Sequence, residues 1–484
     1  MPSPITRRGF LGAAAAGPFV RTSRAAASRR PNFLFLLTDD QSYASLSLTG
    51  SPFMKTPHID RIGREGVLFT RGLVPMSLCA PSRACFLTGL YPHKNGIIGN
   101  QTRWDQQMQT LPRVLQANGW RTAHIGKFHM DSDDRVQPGY DYWAAQIGQG
   151  SYVDPRKNIN GTWTDLKGYD TTLITDQAIE FMRGSKGRPF CTWLAYKACH
   201  GPFTPAPGHE RDFADLEFKP PASFFVEDEG KSARVRAKTQ NPAAGRQTAG
   251  AAGKKARKKA QAGARPASLA EWSERERNQH RALMGVEDSM KRIWQFLDEE
   301  RLAEETIIFY SGDNGFFHGE HGLHGKMEPY EEALRVPMMV RYPRMIRAGQ
   351  RCDAMVGNVD MAPSILELCG VQAPRPMQGQ SWVPLVTGKG APRRESFVYT
   401  MHGADAALPT VKALRTERYK LVLNLSPKDQ EELYDLKTDP LEMKNLARDR
   451  SHRELILELK RTLLHDMRQL EDPAVPAVEA TMKP

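Results

Sequence analysis

Cys79 stands near the head of the run SLCAPSRACFLTG (Ser77–Gly89), two residues before Pro81 and four before Arg83. Proline is tolerated in a first helical turn, so this spacing predicts a helix that opens at the thiol and carries Arg83 about one turn on. Such a place suits a nucleophile, although a lone cysteine is more often a small buried core residue. Two oxygen-rich pairs, Asp39 with Asp40 and Asp313 with Asn314, each follow a short apolar run. Gathered at one spot, hard oxygen ligands suit Ca2+ or Mg2+ better than a soft transition metal. Apart, each pair reads as a turn or a helix cap. Lys127 and His129 in GKFH, His200 in CHGP and Lys326 in HGKMEPYEE add positive charge and groups able to move protons.

These residues are far apart in sequence, so the fold must gather them. NFLFLL (Asn32–Leu37), Trp120–Ile125, Phe190–Tyr196 and Thr306–Tyr310 are short apolar runs that lead into DD, GKFH, KACHGP and SGDNG. Continuous apolar runs of this length read as buried parallel strands. Between them lie helical patterns, at Thr110–Asn118 and at Leu283, Val286, Met290, Ile293, Trp294 and Leu297. Strands alternating with helices predict an α/β fold with a mostly parallel central sheet flanked by helices. Loops leaving the carboxyl ends of such strands collect along one edge, where ligands bind.

The run C-x-P-S-R followed by Leu87, Thr88 and Gly89 resembles the signature of the sulfatases, a formylglycine-dependent branch of the alkaline-phosphatase-like hydrolases. The order DD, CxPSR, GKFH, HGP, DNG, HGK matches that family from Asn32 to about Ala447. The resemblance implies that Cys79 is oxidised to formylglycine by a formylglycine-generating enzyme, and that the hydrated aldehyde attacks sulfur. It implies a cation, usually calcium with Mg2+ or Mn2+ as alternatives, held by Asp39, Asp40, Asp313, Asn314 and the modified Cys79. Arg83 would hold the hydrate, Lys127 and Lys326 would contact sulfate, His129 would be the base for the second hydroxyl, and His200 would protonate the leaving oxygen. Phe128 stands where other members often carry tryptophan. ACHGPFTPAP and GKMEPYEEALRVPMMVRYP look most like glycan sulfatases of the N-acetylglucosamine-6-sulfatase and iduronate-2-sulfatase kinds. The expected activity is therefore a sulfuric ester hydrolase acting on a sulfated carbohydrate. A phosphonate or phosphate diester hydrolase of the same superfamily and a catalytically silent polyanion-binding protein are the alternatives. His318, His321 and His324, spaced by three, are expected in the pocket wall rather than in a transition-metal cluster, and His93 and His402 carry no assigned role.

The 484 residues carry a formal charge of +12, with 40% hydrophobic and 25% charged residues, as in an ordinary globular protein. Six arginines fall in residues 1–30 and eleven basic residues in Lys231–Pro266, with no acid in either stretch. Subtracting those seventeen charges leaves −5, so the remaining body is mildly acidic and no nucleic-acid partner is expected. Arg7 and Arg8, followed by a short apolar stretch and Ala25–Ala27, resemble a twin-arginine export signal, which predicts periplasmic or extracellular delivery and no transmembrane segment. Lys231–Ser268 is poor in large apolar residues and reads as a disordered basic insertion. The expected organisation is a signal peptide at 1–30, a catalytic domain at 31–370 interrupted at 231–268, and a smaller C-terminal α+β subdomain with its tail at 371–484. The last includes strand-like runs at Ser396–Thr400 and Tyr419–Leu425 and a helix over Arg453–Leu470. Six cysteines, none in C-x-x-C spacing, point to neither zinc nor redox work.

Overall fold

The computed structural model describes residues 30–130, 135–224, 230–240, 266, 268–390, 393–402 and 410–482. Ten strands form the main sheet: β1 (Asn32–Thr38), β2 (Val67–Leu73), β3 (Arg121–Lys127), β4 (Tyr142–Gln146), β5 (Arg156–Ile159), β6 (Thr162–Asp165), β7 (Phe190–Ala195), β8 (Thr306–Gly312), and, after a small hairpin of β9 (Phe317–His318) and β10 (His324–Gly325), β11 (Met338–Arg341) and β12 (Gln350–Gly357). Their order is β12-β2-β11-β8-β1-β7-β3-β4-β5-β6. The five central strands β8-β1-β7-β3-β4 run parallel. The antiparallel β11 and the β5–β6 hairpin make the sheet mixed towards its edges.

Side chains of a strand alternate between faces, and here both faces are apolar. Phe33, Phe35 and Leu37 join Trp193 and Phe309 in one core, while Leu34 and Leu36 join Leu194, Ile308 and Tyr310 in the other. Phe35 sits edge-on to Trp193 with ring centroids 4.4 Å apart. The first face is covered by helices Cys79–Thr88, Leu111–Ala117 and Met361–Leu368, the second by Pro57–Arg64, Asp170–Arg183 and Leu269–Glu299. Among the described residues no helix is long and apolar enough to cross a membrane. All six cysteines are free.

The C-terminal subdomain is an antiparallel sheet of β13 (Ser396–Met401), β14 (Thr410–Thr416), β15 (Tyr419–Ser426) and β16 (Glu432–Asp435), packed by the helix Arg453–Gln469 through Ile456, Leu459, Leu463 and Met467. Residues 371–390 pack with the main body, because Trp382 stacks on Phe309 and Val383 and Val386 enter the first core. The basic stretch 231–268 is not wholly unstructured: Ala233–Gln240 is a helix, and Ser268 caps Leu269–Glu299 by accepting from Glu271 N at 3.1 Å. Lys231 is buried, its ammonium 3.9 Å from the Tyr330 ring centroid and donating to the Glu442 carbonyl at 2.7 Å. Composition alone does not show that a lysine can be held by aromatic faces and a carbonyl. Residues 241–265 and the expected export signal lie outside the described residues.

Lys420 of β15 ties the two parts together. It is fully buried between Glu331 Oε1 at 2.9 Å and Glu442 Oε1 at 2.8 Å. Burial pushes the Glu331 carboxyl up, but Lys420 and Arg415 outweigh it and hold the group at about 2 against an ordinary 4.5. A depressed carboxylate stabilises the fold above its unfolded pKa and loses that contribution as pH falls through the folded one. Replacing Lys420→Met strips the buried Glu442 of its ion-pair partner and leaves Glu331 with Arg415 alone, and should cost about 3–5 kcal/mol in denaturant unfolding at neutral pH. The deficit should shrink as pH falls from 4.5 towards 2; a deficit independent of pH would contradict this account.

Candidate active site

The loops leaving the central parallel strands meet at one edge. Asp39 and Asp40 follow β1, Lys127 ends β3, His200 follows β7, and Asp313 and Asn314 follow β8. The backbone ties these exits together: Asp39 N donates to Ala198 O at 2.9 Å, Cys199 N to Asp39 O at 2.7 Å, and Asp313 N to Thr38 O at 2.9 Å. Cys79 opens the helix Cys79–Thr88, whose ten residues are all buried; Ser82 N donates to Leu78 O at 3.0 Å, and Gly89, with φ of 66°, closes the far end. Asn358 holds this helix in place, its Nδ2 2.8 Å from Ser82 Oγ.

Around the Cys79 sulfur stand Lys326 Nζ at 2.7 Å, Asp39 Oδ1 at 3.6 Å and Lys127 Nζ at 3.9 Å. Lys127 pairs with Asp39 and Lys326 with Asp40. Arg83, one turn beyond the thiol, donates from Nε to Asp313 Oδ2 at 2.9 Å and from Nη1 to the Lys127 carbonyl at 2.7 Å. Three buried carboxylates are thus matched by three cationic side chains, which burial demands. Burial raises the Asp39 carboxyl, but Lys127, His200 and Arg83 overcome it and hold the group well below its usual range. Asp313, exposed to the same burial and to the Asp39 charge, is pushed up to about 6. Burial likewise pushes the Cys79 thiol up to about 12.

Both histidines of the set are neutral at pH 7. Burial and the neighbouring Lys127 depress His129, whose Nδ1 has no hydrogen-bond partner among the described residues. Burial depresses His200 to about 4 in spite of Asp39 and Asp40. Its Nδ1 lies 2.9 Å from the Gly201 carbonyl, which fixes the proton there, and its Nε2 lies 3.6 Å from Asp40 Oδ2.

All ten residues singled out in the sequence therefore surround one pocket. Asp39, Asp40, Cys79 and His200 offer ligand atoms within 4.8 Å of one another, so His200 stands at the cation position as well as at the proposed leaving group. Asp313 faces Arg83 and accepts from Asp40 N at 3.1 Å. The donor set fits a hard cation on a further count: Asn314 gives both amide hydrogens away, to Asp40 Oδ1 and Gly315 O at 2.8 Å each, and leaves its buried Oδ1 without a partner among the described residues.

The other histidines do not join. His318 is held by Ser42 Oγ and Glu276 at 2.6 Å each, His321 faces Glu332 at 3.5 Å, and these lie in the wall loop rather than in a metal cluster among the described residues. His93 and His402 pack together against the C-terminal subdomain, where His93 Nε2 meets Leu470 O at 2.8 Å.

Sequence reasoning did not find Gln149, Lys197 or Gln279. Gln149 Oε1 accepts from Lys127 at 2.6 Å, Lys197 braces two loops, and Gln279 Nε2 holds the Asp40 carbonyl at 3.0 Å. Only Gln149 carried a local signal, its place between two glycines just after a strand.

A family model described as Sulfatase matches residues 31–371, and one described as N-sulphoglucosamine sulphohydrolase, C-terminal, matches residues 319–469. The chain is 31% identical over 491 residues to the N-acetylglucosamine-6-O-sulfatase of Bacteroides thetaiotaomicron, covering 92% of this chain and 88% of that one. It is 28% identical over 418 residues to the human N-acetylglucosamine-6-sulfatase, covering 81% and 71%. A solved structure of an enzyme in complex with its substrate D-glucosamine-2-N,6-O-disulfate superposes with a TM-score of 0.82 at 31% identity, covering 92% of this chain and 99% of that one. The chain belongs to the sulfatase family of enzymes that hydrolyse sulfate esters.

Proposed function

We propose that this sulfatase is exported by the twin-arginine route and removes the 6-O-sulfate of a glucosamine-type residue in a sulfated glycan, using a formylglycine made from Cys79. The site chemistry rests on the surroundings of Cys79: its sulfur lies within 4 Å of two lysine ammonium groups and an aspartate at the head of a buried helix. The substrate rests on the 31% identity to the Bacteroides enzyme and on the likeness to the structure bound to D-glucosamine-2-N,6-O-disulfate. A buried thiol pushed up to about 12 is protonated at neutral pH and a poor nucleophile in its own right, which favours its reading as a precursor. Asp39, Asp40, Asp313, Asn314 and the modified residue 79 would hold a calcium ion, with magnesium or manganese as substitutes. Formylglycine supplies a hydroxyl nucleophile from its hydrate, and the cation supplies positive charge to the sulfate oxygens.

The remaining work falls to this chain's own side chains. Lys127 and Lys326 bind the sulfate oxygens and stabilise the charge that gathers there, which is usually the largest catalytic term. Arg83, locked by Asp313 and the Lys127 carbonyl, fixes the helix turn that carries the nucleophile. His129, whose Nδ1 has no partner among the described residues, takes a proton from residue 79. His200 is neutral in the free protein; a bound sulfate ester brings negative charge beside it, favours the imidazolium, and lets Nε2 deliver a proton to the departing alkoxide.

Peptide mass spectrometry across Cys79 of protein made with a formylglycine-generating enzyme should show the aldehyde. N-acetylglucosamine-6-sulfate and an aryl sulfate should both release sulfate, and Cys79→Ala should release none. Finding only thiol in active protein, or a clear preference for a phosphate diester, would defeat the reading. Lys127→Ala and Lys326→Ala should each lower kcat by about 10²–10³. Chelation should abolish activity and lower Tm, both restored by added Ca2+; a Tm indifferent to the ion would remove calcium from the site.

A further inference from the structure

The loop leaving β4 reaches the site at Gln149, whose Oε1 accepts from Lys127 Nζ at 2.6 Å. Gly148 and Gly150 take φ of 56° and 62°, and a Cβ on Gly150 would lie 2.4 Å from Gln146 Oε1, which already accepts from Ser151 N at 2.7 Å. These constraints leave Gln149 at the tip. The buried Lys197 grips the tip from beneath, donating from Nζ to the Gln149 carbonyl at 2.9 Å and to the Gly201 carbonyl at 3.1 Å. Tyr152 OH donates to the His200 carbonyl at 2.7 Å, so the loop is pinned to the segment that carries His200 at two points. A half-exposed glutamine is thereby held as firmly as a core residue.

The orientation of its amide follows from its partner. Lys127 can only donate, so the 2.6 Å contact assigns Oε1 to the lysine side. The amide nitrogen then points away, and its two hydrogens have no hydrogen-bond partner among the described residues. Depth separates it from the catalytic floor: Cys79 and Lys127 are buried, Gln149 is half-buried, and Ile147 and Val153 beside it are 60% and 51% exposed at the rim. Gln149 Oε1 meets Lys127 Nζ at 2.6 Å, so an ester whose sulfate engages that lysine comes within reach of the glutamine side chain.

We infer that Gln149 is a specificity-determining residue whose side-chain amide donates to an oxygen of the sulfated sugar itself, a ring hydroxyl or the N-acyl carbonyl, while its own oxygen steadies Lys127. This rests on the glycan reading and sharpens it, because an amide donor recognises sugar oxygens that an aryl sulfate lacks. A neutral hydrogen bond of this kind is worth up to about tenfold in discrimination, and more where its loss strands a buried group.

The test compares kcat/KM on N-acetylglucosamine-6-sulfate and on an aryl sulfate, in the unchanged protein and in Gln149→Ala and Gln149→Asn, with Tm checked for each. Loss of the Lys127 contact lowers both activities; loss of the sugar contact lowers the saccharide alone, through KM as well as kcat. Gln149→Ala should therefore fall about tenfold further on the saccharide than on the aryl sulfate, with Gln149→Asn between it and the unchanged protein. An equal loss on both substrates would reduce Gln149 to a support for Lys127 or a sulfate contact and overturn the inference. Aryl sulfate turnover without any saccharide turnover in the unchanged protein would sink the glycan reading, and this inference with it.

Discussion

Three carboxylates, of Asp39, Asp40 and Asp313, are buried together with the cations of Arg83, Lys127 and Lys326, and the rest of the structure answers to that arrangement. A buried ion pair with one partner missing is strongly unfavourable, so each member of the set stabilises the others. Its members come from the exits of β1, β3 and β8, from one helix and from the loop after β10. No two of these segments are neighbours in sequence except through the sheet. Pairing β1 with β8 on one side and β7 on the other, with β3 next to β7, gathers the exits along one edge, and the backbone bonds of Asp39, Cys199 and Asp313 hold those of β1, β7 and β8 together.

That requirement explains several local choices. Gly126 in GKFH has φ of 107°, and a Cβ there would meet the Ala195 carbonyl at 1.9 Å, so β3 can close on β7 only with glycine next to Lys127. The helix Cys79–Thr88 exposes no residue, because its far side is the core that packs against Phe35 and its near side is the site. Asp313 shows the cost of the crowding: it shares Arg83 with Asp39 yet faces two other acids, and its carboxyl rises where theirs fall.

What was legible in the sequence follows from the same geometry. Strand exits were readable because parallel core strands are continuous apolar runs that stop where polar chemistry begins, as at Leu37 before Asp39 and at Tyr310 before Asp313. The helix at Cys79 was readable because Pro81 and Gly89 mark its ends. Gln149, Lys197 and Gln279 were not, because each acts through a contact with a backbone carbonyl or side chain far away in sequence, and nothing local announces such a partner. Lys231 misled for a related reason. Its neighbours are small and basic, so composition favoured a solvated start, whereas two tyrosines distant in sequence supply the faces that bury it.

The pocket also orders its chemistry by depth. At the floor the three carboxylates are matched by three cations, so the groups there act by charge and geometry. Towards the mouth the side chains are neutral: Gln149 offers an amide, and Ile147 and Val153 offer apolar surface. Charged groups of this kind can be kept within a family while the loops above them change. The rim is carried by loops such as 147–152, which can vary without disturbing the ion pairs beneath. Lys197 is where the two levels meet, since one ammonium holds the rim at Gln149 and the floor loop at Gly201 in a fixed relation.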